Sequence, residues 1–474
     1  MEFEVSYTLD NEQQFWDELD EIVSAECCSH QLIDNALRSY LTFTTDYKGE
    51  YIKTEHDIAR CSYRLLESSL FTAHKDYVRQ QIVCSVLQED SPDALHTIIS
   101  FLLLDGRQNE ATYEMMSEEG VFPRLLELIN GRVDDDAGLH RTLLEVLYEM
   151  SRIQRVRILD LVSIEDEFIE YMFQIIEGLS DDVNDPYHYP VIRILLILNE
   201  QYMVSAHDPS PVLSHPSVSP LTNKVIKILS THGSSYKTFG ENIILLLNRE
   251  SETSLQLLIL KLLYLVFTTP STYEYFYTND LYVLLDIILR NLLDLPPSST
   301  ALRHTYLRVL YPLLAHTQLK HPPHYKQNEL IRLLSTMAED DNDHFGAVDE
   351  TTKRLVGRCV RVDWLKQEEG GDPGSPIKMK QRLLSVSMPS TTESSLSVGE
   401  VAAQTSKPGV QTPSRAEGGG GSENKGEANN DRRNNGLDVR VVEESGGDDS
   451  TTNNGWQSKA VDVPKSPFEA EGDV

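Results

Sequence analysis

The histidines that could bind a metal ion gather in one segment of this 474-residue chain. His316, His321 and His324 surround the pair Pro322 and Pro323. A zinc site needs ligands on a fixed scaffold and a further Cys, His or carboxylate. A segment with two prolines and scattered histidines is more typical of plain surface, so we expect no metal site there.

The acidic run at residues 181–185 has the composition of a calcium loop but not its pattern. If Asp181 takes the first position of an EF-hand loop, the sixth is Pro186 and not glycine, and the twelfth is Ile192 and not glutamate. Phosphate-binding glycine loops, the zinc-protease helix motif and the nucleophile elbow are also absent from the sequence. We therefore expect a protein without a cofactor and without enzymatic activity.

A group of basic residues stands out near the end of the apolar part of the chain. Lys353, Arg354, Arg358 and Arg361 follow one another at close spacing in a chain whose formal net charge is −32. They either pair with acidic residues of neighbouring helices or offer a contact to an acidic surface of a partner protein. We name this group the basic stripe, and it is the first candidate for a partner-binding site.

A second candidate group is polar and ends an otherwise apolar segment. Asn199, Glu200 and Gln201 follow a run of consecutive isoleucines and leucines. Polar groups in such a place must be exposed or hydrogen-bonded. They either line a groove that a partner enters or tie the end of a helix to the next loop.

Both groups need helices to position them, and residues 278–315 show most clearly how the chain builds helices. Apolar residues at three- and four-residue spacing predict one helix with a cap among residues 278–280 and an end at Pro296 and Pro297. A second helix follows the short polar loop. Pro312 lies inside this second helix and is expected to kink it.

The same two-helix unit recurs along the chain. Helices of a first class carry a leucine ridge, and a more apolar helix of a second class follows each of the first four. The first class comprises residues 121–129, 167–179, 221–229, 281–292 and 329–337, and the second comprises residues 139–153, 190–204, 254–267 and 301–316. The step is longer and less regular than the about 40–47 residues of armadillo or HEAT units. Because stacked pairs share one continuous core, we predict an all-α, armadillo/HEAT-like helical solenoid with second-class helices in its central layer.

Composition divides the chain into three parts. Residues 1–120 carry further apolar-spaced segments and are expected to form a helical N-terminal cap region, and residues 121–365 form the armadillo-like leucine-rich repeat domain. In residues 366–474, Gly, Ser, Thr, Asn and acidic residues dominate. Such a segment buries too little apolar surface to offset the entropy of ordering, so we expect a disordered acidic tail.

Charge and cysteine content limit the environment of the protein. An acidic chain repels phosphate backbones and anionic lipid, so neither nucleic acid nor a bare membrane is an expected partner. No apolar run is long enough to span a membrane, and the acidic N-terminus lacks the core of a signal peptide. None of the five cysteines forms a C-x-x-C pair, which favours reduced thiols in a cytoplasmic protein.

Three segments resemble one known family. The sequences YTNDLYVLLDIILRNLLDLP at residues 277–296, LRHTYLRVLYPLL at residues 302–314 and VIRILLILNEQYM at residues 191–203 are similar to the leucine-rich domain of the WISH/DIP/SPIN family, whose fungal branch includes the low-dye-binding type of endocytic proteins. The resemblance covers about residues 121–365. Animal members carry an SH3 domain and a proline-rich region, which this chain lacks. The tail does contain two P-x-x-P matches, at residues 373–376 and 464–467, as weak candidates for SH3-containing endocytic partners.

The resemblance implies a function in actin assembly. Members of the family bind and activate the actin-related protein 2/3 complex without a pre-existing filament, and so seed linear filaments at cortical actin patches during endocytosis. The chain would then contact the complex directly and the nascent filament indirectly. The alternative is a generic armadillo-like adaptor scaffold, in the cytoplasm or in transport, that holds two partners without activating either.

Overall fold

The computed structural model describes residues 9–131, 136–178, 185, 188–207, 221–338, 348–366 and 393–403, with side chains in the last range from residue 398 onward. Regular structure in these ranges is helical throughout. The α-helices are α1 (Glu12–Val23), α2 (His30–Asp46), α3 (Lys48–Tyr51), α4 (Glu55–Leu66), α5 (Ser69–Gln88), α6 (Pro92–Gln108), α7 (Ala111–Glu118), α8 (Val121–Gly131), α9 (Ala137–Ile153), α10 (Ile158–Ser163), α11 (Asp166–Glu177), α12 (Tyr189–Ala206), α13 (Lys224–His232), α14 (Lys237–Arg249), α15 (Thr253–Thr268), α16 (Thr278–Asp294), α17 (Thr300–His316), α18 (Gln327–Thr336), α19 (Glu350–Val360) and α20 (Glu393–Ala402). Short 3-10 turns cover Gly233–Ser235, Pro270–Thr272, Gln318–Lys320 and Asp363–Leu365. None of the helices in these ranges has the length and apolar character needed to cross a membrane.

Helix α16 shows how local sequence sets the helix limits. The carboxylate of Asp280 accepts a hydrogen bond from the backbone N–H of Tyr277, the residue that precedes the helix, at 3.3 Å. This bond satisfies a backbone donor just before the first turn. The helix ends before Pro296 and Pro297, as the sequence predicts. Helix α17 runs from Thr300 to His316 as a single helix with Pro312 inside it.

The helices stack in two rows. An inner row runs α4, α6, α9, α12, α15, α17, α19, and each of these helices packs on the next. An outer row runs α5, α8, α11, α14, α16, α18, and its members pair with α6, α9, α12, α15, α17 and α19 respectively. This arrangement is an all-α helical solenoid, as predicted. Helix α6 packs on α9, so the stacking continues across residue 120.

The inner row forms the central layer that the sequence predicts. Residues 194–198 of α12 and Leu260 and Leu263 of α15 are completely buried. A helix that is apolar on most of its faces must be covered on most of its faces. Helices α9, α11, α13 and α15 all pack on α12 and provide this cover.

The third repeat differs from the sequence prediction. Residues 221–229 were expected to form its outer helix, but this position belongs to α14, while the nearby α13 packs on α11 and α12. The spacing of Phe239, Ile243 and Leu247, all buried in α14, carries the helical signal that would have revealed it.

Most of the tail lies outside the described residues, including both P-x-x-P matches and everything after residue 403. Residues 393–403 are the exception. Within this range Glu393–Ala402 form α20, which packs on α12, α15 and α17. The composition of the tail did not anticipate this helix.

Candidate partner-binding site

The basic stripe lies on α19 and directly after it. The carboxylate of Asp349 caps the helix by accepting the backbone N–H of Thr352 at 2.9 Å, and it also lies 3.2 Å from Nε2 of His304 on α17. Burial alone would raise the pKa of Asp349, but these hydrogen bonds outweigh it and lower the pKa to about 2. Leu355 and Cys359 are buried on the side of α19 that packs on α17. The cap and the apolar contact hold the stripe in place at the end of the inner row.

The four side chains of the stripe differ in exposure. Arg354 is exposed, whereas Lys353, Arg358 and Arg361 are half-buried. The guanidinium of Arg358 lies over the ring of Tyr311, at 4.4 Å from its centroid, which is a cation–π contact. Arg354 contacts the tail, as described below. The structure thus brings the four residues together on α19 and at its C-terminal cap, at the end of the inner row.

The second candidate group lies in the core and not on a surface. Asn199, Glu200 and Gln201 are at most 3% exposed. The side-chain oxygen of Gln201 accepts the backbone N–H of Val156 at 3.1 Å, and that of Asn199 accepts the amide of Asn223 at 2.8 Å. A partner cannot touch these atoms directly, which corrects their nomination as contact residues. Their polarity serves bonds between α12 and neighbouring segments.

Glu200 belongs to a cluster of charges that the sequence did not reveal. Its carboxylate forms an ion pair with Lys261 of α15, and both side chains are almost completely buried. Lys261 also donates to the backbone carbonyl of Ala402 at 3.0 Å. Two helices of the inner row and the tail helix therefore meet at one ammonium group.

A second ionic contact lies on the same side of the inner row. The carboxylate of Glu400 accepts hydrogen bonds from Arg308 of α17 at 3.1 Å and from Arg354 of α19 at 3.3 Å. Burial alone would raise the pKa of Glu400, but the two arginines hold it below its usual range. We call the part of the inner row that contacts α20 through Lys261, Arg308 and Arg354 the inner-row groove.

The histidine segment shows no metal geometry. Nδ1 of His316 bonds to the backbone carbonyl of Phe267 at 2.8 Å, and the ring of His324 stacks on Trp364 with 5.1 Å between centroids. Within the described ranges, no three His, Cys, Asp or Glu side chains are grouped so that they could hold a metal ion.

Comparisons with known proteins agree with this architecture. Residues 184–330 match the family described as the SPIN90/Ldb17 leucine-rich domain. Protein dip1 of Schizosaccharomyces pombe is 30% identical over 373 residues, which cover 78% of this chain and 98% of the relative. The chain belongs to the SPIN90/Ldb17 family. Two proteins named LDB17, from Saccharomyces cerevisiae and Eremothecium gossypii, are each 28% identical, covering 78% and 75% of this chain and 84% and 82% of theirs.

The SPIN90/Ldb17 match falls on a defined part of the solenoid. Residues 184–330 run from just before α12 into α18. This range contains Lys261 and Arg308 of the inner-row groove. It ends before the basic stripe and before α20, so these two features lie outside the leucine-rich domain as the family defines it.

Proposed function

We propose that this chain is a non-enzymatic regulator of actin nucleation, which binds the actin-related protein 2/3 complex and activates it without a pre-existing filament. Membership of the SPIN90/Ldb17 family, over nearly the full length of the Schizosaccharomyces relative, is the observation that carries the proposal. The filaments seeded in this way would be linear, and the protein would work in the cytoplasm at cortical actin patches during endocytosis.

The architecture supports this proposal in physical terms. A solenoid whose repeats share one core offers a long, rigid surface to a large assembly. Activation then requires that the chain bind the active arrangement of the complex more tightly than the inactive one, because a ligand shifts a conformational equilibrium only by its differential affinity. A rigid scaffold suits this role, since it does not adapt equally to both arrangements.

The decisive assay is pyrene-actin polymerisation with the purified complex, combined with imaging of single filaments. We expect the chain to shorten the lag of assembly and to produce mainly unbranched filaments. Mainly branched filaments, or capture of the complex without any acceleration, would contradict the proposal. The second outcome would favour the adaptor scaffold.

Within this proposal the basic stripe is a contact for an acidic surface of the complex. The variant Lys353→Glu/Arg358→Glu reverses two charges of the stripe and leaves Arg354 free to hold Glu400. We expect at least a tenfold weaker affinity for the complex, because two attractive contacts become repulsive, with unchanged helical content by circular dichroism.

The matched control is Lys53→Glu/Lys75→Glu. Both lysines are exposed and lie near the N-terminal end of the described chain, so the net charge changes equally at a distant place. Equal affinities of the two variants would remove the stripe from the proposed interface.

A further inference from the structure

The tail helix α20 occupies a defined place on the inner row. It packs on α12, α15 and α17, although residues 367–392 separate it from the end of the solenoid. A connection of this length spans up to about 90 Å when fully extended. The position of α20 is therefore determined by its contacts with the inner row and not by the length of the chain that leads to it.

The polar groups of α20 bond to charged side chains from several inner-row helices, as those of a bound peptide would. The carboxylate of Glu400 lies between Arg308 and Arg354, which come from two different helices. At the C-terminal end of α20, the ammonium group of Lys261 donates to the carbonyl of Ala402. The last carbonyls of a helix have no partner within the helix, and a cation at this end interacts favourably with the helix dipole.

The apolar contacts restrict which residues fit. Val401 and Ala402 are 0% and 2% exposed and join the core of the solenoid. The backbone at Gly399 lies so close to His207 that a β-carbon there would be 3.2 Å from the imidazole ring. These contacts favour a small residue, followed by a glutamate and two small apolar residues at the end of a helix.

The groove carries positive charge that needs an anion. Arg308 is about 5% exposed, and two of its side-chain nitrogens are buried without a hydrogen-bond partner among the described residues. A buried cation that loses its counter-charge is costly, so the groove favours a ligand that brings a carboxylate. Glu400 supplies it in this structure.

The contact is also small enough to exchange. Helix α20 has ten residues, and isolated helices shorter than about 12–15 residues are marginal in water. The segment therefore depends on the groove for its helical form. The inner-row and outer-row helices pack on one another without it, so its release is not expected to unfold the solenoid.

We propose that the inner-row groove is a peptide-binding site for a short helix that ends in Gly-Glu-Val-Ala or a similar sequence, and that residues 393–402 are its exchangeable intramolecular ligand. The recognition follows the general mode in which a helix lies in a groove. A second helix with the same glutamate and the same small apolar residues competes with α20 for this site.

The test uses the full chain and a fluorescent peptide of residues 388–405. In the chain variant Glu400→Arg/Val401→Asp, the resident helix loses both its charge and its apolar contact. We expect this variant to bind the peptide at least tenfold more tightly than the wild-type chain, measured by fluorescence anisotropy, because its groove is vacant. The control variant Val461→Asp/Glu469→Arg makes the same chemical changes elsewhere in the tail and should bind as weakly as the wild type.

Specificity is tested by charge exchange. Adding Arg354→Glu to the Glu400→Arg/Val401→Asp variant should weaken binding of the wild-type peptide at least tenfold. A peptide carrying Glu400→Gln should lose much less affinity from the same substitution, because it has no charge for the new carboxylate at position 354 to repel. Arg354 is exposed, so this substitution leaves the fold intact, which thermal unfolding checks. Equal affinity of the wild-type and the Glu400→Arg/Val401→Asp chains for the peptide would overturn the proposal. So would the absence of binding to either chain at millimolar peptide. Neither measurement involves the actin-related protein 2/3 complex, so the peptide-binding proposal is tested independently of the proposed function.

Discussion

Replacing either member of the buried pair Lys261 and Glu200 should destabilise the solenoid, whereas replacing both should not. The two side chains lie on adjacent inner-row helices and are 0% and 3% exposed. In Glu200→Met the ammonium group loses its only carboxylate among the described residues. In Lys261→Met the carboxylate keeps no cation at hydrogen-bond distance within the part of the chain that the structure describes. In Glu200→Met/Lys261→Met no charge is left at the site.

The expected magnitudes follow from the burial of the pair. Removing one partner of a buried ion pair costs about 3–5 kcal/mol, because the other charge stays buried without compensation. Lys261 keeps a bond to the carbonyl of Ala402, so Glu200→Met should lie at the lower end, about 3 kcal/mol. The double variant should lie within about 1 kcal/mol of the wild type, since apolar residues of similar volume replace the pair.

Urea unfolding followed by circular dichroism measures these free energies, and thermal melting should show a shift of about 5–10 °C for each single variant. The exposed pair Asp363 and Lys366 serves as the control cycle, and its two members should show no measurable coupling. The reasoning is refuted if the two single costs simply add in the double variant, or if each single variant costs less than about 1 kcal/mol.

Two further predictions concern the interior of the solenoid. At Gly106 a β-carbon would lie 2.3 Å from Cζ of the fully buried Tyr113, so Gly106→Ala should lower the free energy of unfolding in urea by about 2–3 kcal/mol. The control Gly49→Ala, which has nothing within 4 Å of its β-carbon, should be neutral or slightly stabilising. Equal effects of the two substitutions would contradict this packing. Burial and the charge of His188 lower the pKa of His140 from 6.5 to about 4. As pH falls from about 6.5 to about 4, this histidine binds a proton in the unfolded chain but stays neutral in the folded chain, so stability decreases in this window. The free energy of unfolding at pH 7 and pH 4 should therefore differ by about 2–3 kcal/mol less in His140→Leu than in the wild type. The control His56→Leu, at an exposed histidine, should leave this difference unchanged. Parallel pH profiles of stability for all three chains would exclude the mechanism.

The sequence predicts the helices well because helix signals are local. In α16, the apolar residues that face the core, the polar start and the two prolines after the end all lie within the same twenty residues. Helix α14 carries equally local signals, but the prediction gives its place in the repeat to the preceding segment, which forms α13. The error lay in counting repeats and not in the signal itself.

The candidate site was harder to predict because its contacts join distant parts of the chain. Whether Glu200 faces a partner or the core depends on Lys261, which is 61 residues away. The contact between Arg308 and Glu400 spans 92 residues, and the tail that supplies Glu400 has a composition typical of disorder. Periodicity describes neighbours along one helix, so it carries no information about charges that meet only after the rows have stacked.

The position of α20 also affects how the solenoid bends. In a repeat array each unit contacts only its neighbours, so the array changes its curvature through small rotations between successive units. Helix α20 touches α12, α15 and α17 at once. A rotation of α12 relative to α17 therefore strains the contacts of α20 at one of its ends. We therefore expect α20 to resist rotation of these three inner-row helices relative to one another, and changes of curvature to concentrate in the repeats on either side.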